Sequence, residues 1–307
     1  MDFSLARIVS RARKLGRPLK KAYRQVRPRT AVSIGERKYA LPIAPADFLR
    51  LDVDHEPWLN WVYAAALEMK HGALVDVGVN RGQTLAKMLR IAPNNRYIGF
   101  EPQPACAFYV GEFLRINRLD NCTIVPIALS DHAGLSVLAL NTFDPGDGAA
   151  SIAKGYRPDS FYVQSMTIPI FRGDDIFSTF SESISLLKID VEGAELEVLR
   201  GLSSTLGERR PFVLFEVLNN YLVVTGEYLS DELAAHRNEQ ARQISSFFAD
   251  GGYAVFNIRE KALIRSDVIR PEVSGDLSIT NYLAVPNELV PGLERFIHQP
   301  VTRNRSG

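Results

Sequence analysis

VDVGVNRGQT, residues 75–84, is the stretch on which the reading of the fold turns. It closes an apolar run, 73–77, that is short enough for a strand. The chain then bends through Gly78, Asn80 and Gly82 into 83–91, where Leu85, Met88 and Leu89 recur at helical spacing. Glycine supplies the left-handed backbone such a bend needs and lets the main chain come close to a ligand. Asparagine is among the non-glycine residues that tolerate the same conformation. In open α/β sheets ligands bind beyond the carboxyl ends of the strands, and a helix start can receive a carboxylate or phosphate. Taken alone, the bend is equally a tight strand–helix connection.

Working outward, the alternation continues. Apolar strand-length runs are expected at 96–100, 123–127, 135–140, 185–189, 212–217, 253–258 and 279–285, and helices at 104–117, 194–199 and 231–250. Strands spaced by helices predict a Rossmann-like, doubly wound α/β fold with a mostly parallel sheet. No helix-length apolar pattern separates the last two runs, so they are expected to form a terminal antiparallel strand pair. On the amino side, 58–72 reads as a helix stopped by Gly72. Asp52, Asp54, His55 and Glu56 before Pro57 read as a polar loop and helix start rather than a metal cluster. The segment 141–165, rich in Gly, Asp, Pro and aromatics, is the longest candidate for a mobile loop. The expected divisions are a basic arm (1–30), an extension and helix (31–72), a main domain (73–290) and a tail (291–307).

The chain of 307 residues carries a net charge of +1, divided unevenly. Residues 1–30 sum to +9 and the rest to −8. In the arm, Leu5, Ile8, Ala12, Leu15, Leu19, Ala22 and Val26 share one helical face, a pattern for contact with an anionic membrane or a partner. The alternative is a solvated arm, favoured by Pro18 within the stripe. The basic residues lack aromatic interleaving, which argues against nucleic acid. Two cysteines, Cys106 and Cys122, give no disulfide framework, and no apolar run reaches membrane-spanning length. A cytoplasmic enzyme is therefore expected, with peripheral membrane contact through the arm as its variant.

Three further segments carry chemistry. In YIGFEP (97–102), Glu101 ends the second strand 19 residues after Gly82, where an acid accepts hydrogen bonds from a ribose diol. Together with the 78–82 bend it points to a nucleoside-containing cofactor. The bend reads G-x-N-x-G rather than G-x-G-x-x-G, a shorter turn that suits a methionine carboxylate better than a pyrophosphate. In LLKIDVEGAELEVLRG (186–201), Lys188, Asp190 and Glu192 share one strand face at a carboxyl end. Charged groups there are costly unless paired or exposed to a crevice; an ion-paired strand end is the plainer reading. PFVLFEV (211–217) sets Glu216 at another strand end, beside Asp190 in the expected order.

These segments, in this order, closely resemble the FkbM family of methyltransferases. The matching stretches are VDVGVNRG (75–82), GFEP (99–102), ALSDHAG (128–134), GDD (173–175), LLKIDVEGAELEVLRG (186–201) and FEV (215–217), and KIDVEGAE is the most specific. Val79 stands where the family usually has Ala, and Gly173 where it has Leu, so no role passes to Asp174 or Asp175. The resemblance implies a class I methyltransferase fold with S-adenosyl-L-methionine as cofactor. By analogy Asp76, Gly78, Asn80 and Gly82 hold the methionine end, Glu101 the ribose, and Ser130 or Asp131 lies near the adenine. It also implies a small-molecule or glycan acceptor methylated on a hydroxyl.

For such a transfer, Asp190 is the expected base or acceptor-orienting group, with Glu192 second; Lys188 holds the carboxylates ionised and Glu216 positions the acceptor. A divalent cation on Asp190, Glu192 or Glu216 is the minority variant; no metal is expected, and His55, His71, His132, His236 and His298 are not spaced as a zinc pair. The rival functions are a nicotinamide-dependent oxidoreductase, which lacks a Tyr-x-x-x-Lys pair here, and a non-catalytic scaffold, against which Asp76, Glu101, Asp190 and Glu192 argue.

Overall fold

Short apolar runs without alternation belong to strands covered on both faces, and the centre of the protein is built from them. The computed structural model describes residues 31–42, 51, 53–144, 146–222, 226–260 and 262–298. The basic arm over 1–30, Asp52 and residues 299–307 of the expected tail lie outside the described residues.

The described residues begin with a hairpin of β1 (Ala31–Ile34) and β2 (Arg37–Ala40), then α1 (Asn60–Met69), β3 (Ala73–Val77), α2 (Gln83–Ile91), β4 (Tyr97–Phe100), α3 (Pro104–Ile116) and β5 (Cys122–Val125). There follow β6 (Ala128–Ser130), β7 (Gly134–Leu140), β8 (Gln164–Arg172), α4 (Gly173–Phe177), β9 (Ile184–Ile189), α5 (Glu195–Gly201), α6 (Ser203–Arg209) and β10 (Phe212–Glu216). The last part holds β11 (Tyr221–Leu222), β12 (Glu227–Tyr228), α7 (Asp231–Asp250), β13 (Tyr253–Arg259), β14 (Ala262–Arg265), β15 (Asn281–Pro286) and α8 (Val290–His298).

Eight strands form the main sheet in the order β14-β13-β15-β10-β9-β3-β4-β5. The five from β10 to β5 run parallel, while β15, β13 and β14 join antiparallel. The expected antiparallel pair is β13 with β15, and β14 adds a further edge. From β3 the chain first builds outward through β4 and β5, then returns to lay β9 on the other flank of β3. That reversal opens a crevice at the carboxyl ends of β3 and β9, the place where doubly wound sheets bind ligands.

Alternation along β3 divides the core into two layers. Leu74 shares a cluster with Leu59 in the turn before α1, with Val62, Leu85, Met88 and Phe113 from α1, α2 and α3, and with Ile34 and Tyr39 of the hairpin. Val75 and Val77 face Leu196, Leu199, Ile244 and Phe248 of α5 and α7. The hairpin and α1 thus share a core with the sheet. So does Leu293 of α8, within the segment read as a tail.

The described residues of 141–163 are largely loop, as expected, and the structure departs from the sequence reading just after them: Gln164–Arg172 forms β8, which pairs with β6 and β7 in a separate three-stranded sheet. Pro169 inside the run reads against a strand, because proline cannot donate to a ladder. No helix among the described residues is long and apolar enough to cross a membrane.

Candidate functional site

The bend after β3 and the end of β9 meet directly. The Asp190 N–H donates to the Val77 carbonyl at 2.9 Å. Gly78 has φ of +90°, and a Cβ there would lie 1.9 Å from the Asp190 carbonyl oxygen. Only a residue without a side chain lets these strand ends close up. Asn80 adopts the left-handed backbone expected of it, with φ of +47°. That conformation aims its N–H at Glu101 Oε2, at 2.6 Å, while the Gln103 N–H donates to Oε1 at 2.8 Å. Glu101 is buried, and burial pushes its carboxyl up to about 7 against the pull of those two N–H groups.

On the other wall, Lys188 Nζ lies 2.8 Å from Asp190 Oδ2. Asp76 sits opposite Lys188 in the β3–β9 register. Burial works against the Lys188 charge, but the Asp190 and Asp76 carboxylates outweigh it and hold the amine well above its ordinary range. Asp76 is fully buried and accepts from the Tyr97 hydroxyl at 2.5 Å. Burial lifts it to about 6 despite Lys188. Glu192 has φ of +57° and its carboxylate pairs with Arg157. Gly193, at φ of +107°, carries the Tyr156 ring against its Cα; a Cβ would lie 2.3 Å from that ring. The Glu195 carboxylate accepts from the Val191 and Gly193 N–H groups at 3.3 and 3.2 Å, which fixes the shape of this second bend. The run from Lys188 to Glu195 is therefore divided between a charged strand face and the residues that shape the turn behind it.

Glu216 ends β10 and accepts from Thr280 Oγ1 at 2.5 Å. Oxygens of Asp190, Glu192 and Glu216 all lie within 4.8 Å of one another, close enough to hold a divalent cation. Burial raises Glu216 well above the usual carboxylate range, and the charges of Asp190 and Glu192 raise it further. Burial also raises Glu192, against Arg157. A crowded set of acids responds in this way when it must keep a proton.

Two cavities meet at this wall. The larger, about 430 Å³, reaches Lys188, Glu216, Arg157, Arg237 and Lys87. The smaller, about 80 Å³, is an apolar slot between Phe100, Leu129, Leu138 and Ile152, with Glu101 at its rim. Gly78, Asn80, Gly148, Asp190 and Glu192 line both. Sites for drug-sized ligands are roughly 300–1,000 Å³, so the slot alone is too small for a nucleoside. It is narrowed by the chain around Asp147, whose carbonyl accepts from Asn80 Nδ2 at 3.3 Å and Gln103 Nε2 at 2.8 Å. Arg81 holds the same loop through Asp144, at 2.7 Å, and the Gly146 carbonyl. These hydrogen bonds lay the loop over the slot.

Of the residues singled out from sequence, Gly78, Asn80, Glu101, Lys188, Asp190, Glu192 and Glu216 line one or both cavities. Four others do not. Asp76 lies behind Lys188, and Gly82 starts α2 against Leu51 and Val110 with φ of +91°. Ser130 and Asp131 sit where β6 has left the main sheet. The Ser130 hydroxyl turns to Asp131, which pairs with His132 at 2.6 Å, and Ala128 and Leu129 take the place on the slot. Sequence reasoning missed Arg157, Arg237, Lys87, Gln83 and Thr84. Arg237 is the buried position between exposed neighbours on a polar helix, a pattern that reads as solvated surface. His55 and Glu56, read as loop, also reach the cavity, while Asp54 pairs with Arg90 at 2.7 Å.

Residues 76–255 match the family model described as the methyltransferase FkbM domain. The chain is 28% identical over 155 residues to 2-O-methyltransferase NoeI from Sinorhizobium fredii, covering 47% of this chain and 63% of that protein. It is 26% identical over 217 residues to methyltransferase sdnD from Sordaria araneosa, covering 62% and 78%. The solved structure of methyltransferase FkbM from Methylobacillus flagellatus aligns with 14% identity and a TM-score of 0.43, over 69% of this chain and 43% of that one. The chain therefore spans less than two thirds of the first of these relatives and of that solved structure.

Proposed function

The chain belongs to the FkbM methyltransferase family, and from that premise we propose that it moves the methyl group of S-adenosyl-L-methionine to a hydroxyl oxygen on a sugar, glycan or secondary metabolite. One observation carries this reading: two cavities share the wall Gly78, Asn80, Asp190 and Glu192, with a ribose-type acid on one side and an ion-paired base on the other. The name of the 2-O-methyltransferase relative supports an oxygen acceptor.

The residues fit the cofactor. Gly78 lines both cavities where the ends of β3 and β9 close up, and Gln83 and Thr84 at the start of α2 lie on the larger cavity, suited to the methionine carboxylate. Glu101 suits the ribose diol. The slot between Phe100 and Leu138 suits the adenine once the Asp147 cover gives way. When bound, S-adenosyl-L-methionine supplies a methyl group already activated on a sulfonium, so placement of the acceptor does most of the work.

Lys188 donates to Asp190 Oδ2. Asp190 then takes the acceptor's hydroxyl proton at Oδ1 as the new carbon–oxygen bond forms. Glu192, tied to Arg157, walls the site, and Glu216, held protonated, orients the acceptor by donating to it. Lys188 and Arg157 already supply positive charge to two of the three acids, so this scheme uses no metal.

Calorimetric titration with S-adenosylhomocysteine and with NAD tests the cofactor, and transfer of isotope-labelled methyl onto a panel of sugars tests the acceptor. Binding of S-adenosylhomocysteine but not NAD, with label recovered on oxygen, is the expected result. Binding of NAD alone would reverse the reading.

A further inference from the structure

We infer that the acceptor carries a carboxylate group, bound at Arg237 beside the transfer site. This rests on the methyltransferase reading and narrows its substrate class.

Arg237 lies on α7, is 1% exposed and lines the larger cavity. Its Nε donates to the Tyr156 carbonyl at 3.1 Å and its Nη1 to the Asn219 carbonyl. The guanidinium sits over the Tyr156 ring, 4.5 Å from the centroid. Every one of these partners is neutral. Nη2 is buried and has no hydrogen-bond partner among the described residues. No carboxylate forms an ion pair with Arg237 among the described residues, because the nearby acids are engaged elsewhere. Glu192 is held by Arg157, Asp190 by Lys188, and Glu216 accepts from Thr280.

A buried cation that shares the Glu192 charge with Arg157 and has no ion pair of its own is costly, and an unmade hydrogen bond in the same group adds to that cost. A leucine or methionine at this helix position would fill the space without either penalty. What the arginine brings is a guanidinium fixed by two carbonyls and an aromatic face, with one N–H pair left over beside a cavity. That is the equipment for an anion arriving with the ligand.

The surroundings choose between anions. Asp190, Glu192 and Glu216 repel negative charge, and repulsion grows with the charge brought in. A monoanionic carboxylate meets less of it than a phosphate dianion, and one spare Nη2 matches one carboxylate oxygen. Arg157 lines the same cavity and adds positive charge there. The rest of the acceptor is then directed along the wall toward Asp190. A hydroxy acid or an acidic sugar has this chemistry.

The test uses the full chain saturated with S-adenosylhomocysteine, with saturation checked by calorimetry. Thermal stability is followed against sodium acetate, acetamide and sodium phosphate at constant ionic strength. The expected result is saturable stabilisation by acetate with a midpoint at least tenfold below that of acetamide, retained by Arg237→Lys and weakened tenfold or more by Arg237→Gln. Equal effects of acetate and acetamide, or an Arg237→Gln protein that responds like wild type, would overturn the inference. Phosphate acting at a tenfold lower midpoint than acetate would replace the carboxylate by a phosphate. Acetate acting on the free protein but not on the loaded one would assign Arg237 to the cofactor's own carboxylate. Should Arg237→Gln fail to fold, the acetate and acetamide comparison on wild type and Arg237→Lys decides. Failure to bind S-adenosylhomocysteine sinks the functional reading instead, so the two failures are told apart.

Discussion

Replacing Glu101 by Gln isolates the ribose contact, and its size follows from the local geometry. Glu101 accepts the Asn80 and Gln103 N–H groups, one on each oxygen. A glutamine offers one oxygen and one NH₂, so one of those N–H groups must face a donor, a loss of about 1 kcal/mol. The charge-assisted bonds to the diol add about 1.5–3 kcal/mol. The first loss is felt with and without ligand and so appears in stability, while the second weakens S-adenosylhomocysteine by about 10–10²-fold at pH 8. A second signature comes from the carboxyl itself, which burial lifts to about 7, with Asp76 and Asp190 raising it and the two N–H groups lowering it. The diol donates to the ionised form, so binding draws the proton off. At pH 6 about one molecule in eleven is ready, and at pH 8 about ten in eleven, which makes wild-type Kd about tenfold weaker at pH 6. Glu101→Gln removes this dependence. Calorimetry at both pH values in buffers of different ionisation enthalpy reads the affinity and the released proton. A wild-type Kd that is flat from pH 6 to 8, or a variant within threefold of wild type at pH 8, would refute the assignment.

Gly78→Ala drives a Cβ into the Asp190 carbonyl oxygen, 1.9 Å away, and strains a backbone at φ of +90°. A loss of about 2–5 kcal/mol in chemical denaturation and weakened S-adenosylhomocysteine binding are expected; unchanged values would mean that the strand ends do not meet as described. Asp190→Asn should lower turnover by about 10²–10⁴-fold with cofactor affinity held within about threefold. Glu192→Gln should cost less, because that carboxylate is already tied to Arg157; the opposite ranking, read from product formation, would make Glu192 the base. Stability of the cofactor-free protein should fall as pH rises from 5.5 to 8. Asp76, Glu101 and Glu195 stand at about 6, 7 and 8 in the folded chain, so it keeps protons that the unfolded chain has released in this window. Asp131, Asp174 and Glu288, held low, have already made their contribution above the ordinary carboxylate range. The fall amounts to a few kcal/mol, since a proton held one pH unit too long is worth about 1.4 kcal/mol. Greater stability at pH 8 in denaturant titrations would contradict it.

What could be read from sequence was whatever leaves a local mark. The β3 bend, Glu101 and the Lys188–Glu192 face each announce themselves through strand alternation and glycine placement, and they meet because the fold puts the ends of β3, β4 and β9 side by side. Contacts made over long separations left no such mark. Arg157 approaches Glu192 from 35 residues away and Arg237 reaches Tyr156 across 81. Asp76 was legible as an acid but not as a buried partner of Lys188, since only the strand register places the two together. That Ala128 and Leu129 rather than Ser130 and Asp131 line the slot follows from β6 leaving the main sheet to pair with β8, a pairing that no periodicity in residues 128–130 encodes.

The charges at the end of β9 form an ordered series rather than a pool. Asp76 is wholly enclosed and Lys188 nearly so, and they face one another across adjacent strands. Asp190 lies at the mouth, with its side chain 34% exposed and one oxygen taken by Lys188. Behind it Glu192 is neutralised by Arg157, while Glu216, crowded by both acids, retains its proton on Thr280's side of the cavity. Three carboxyl groups this close cannot all be ionised without cations between them, and the protein provides two, each fixed to a different acid. The arrangement therefore assigns the roles. The acid with a cation and an open oxygen can accept a proton, the acid with a proton can donate one, and the acid sealed by arginine can do neither. The base sits at the solvent edge of an otherwise low-dielectric wall, held by a lysine that itself faces Asp76 across the strands. Removing Asp76 should thus be felt at Asp190 although Asp76 touches neither cavity.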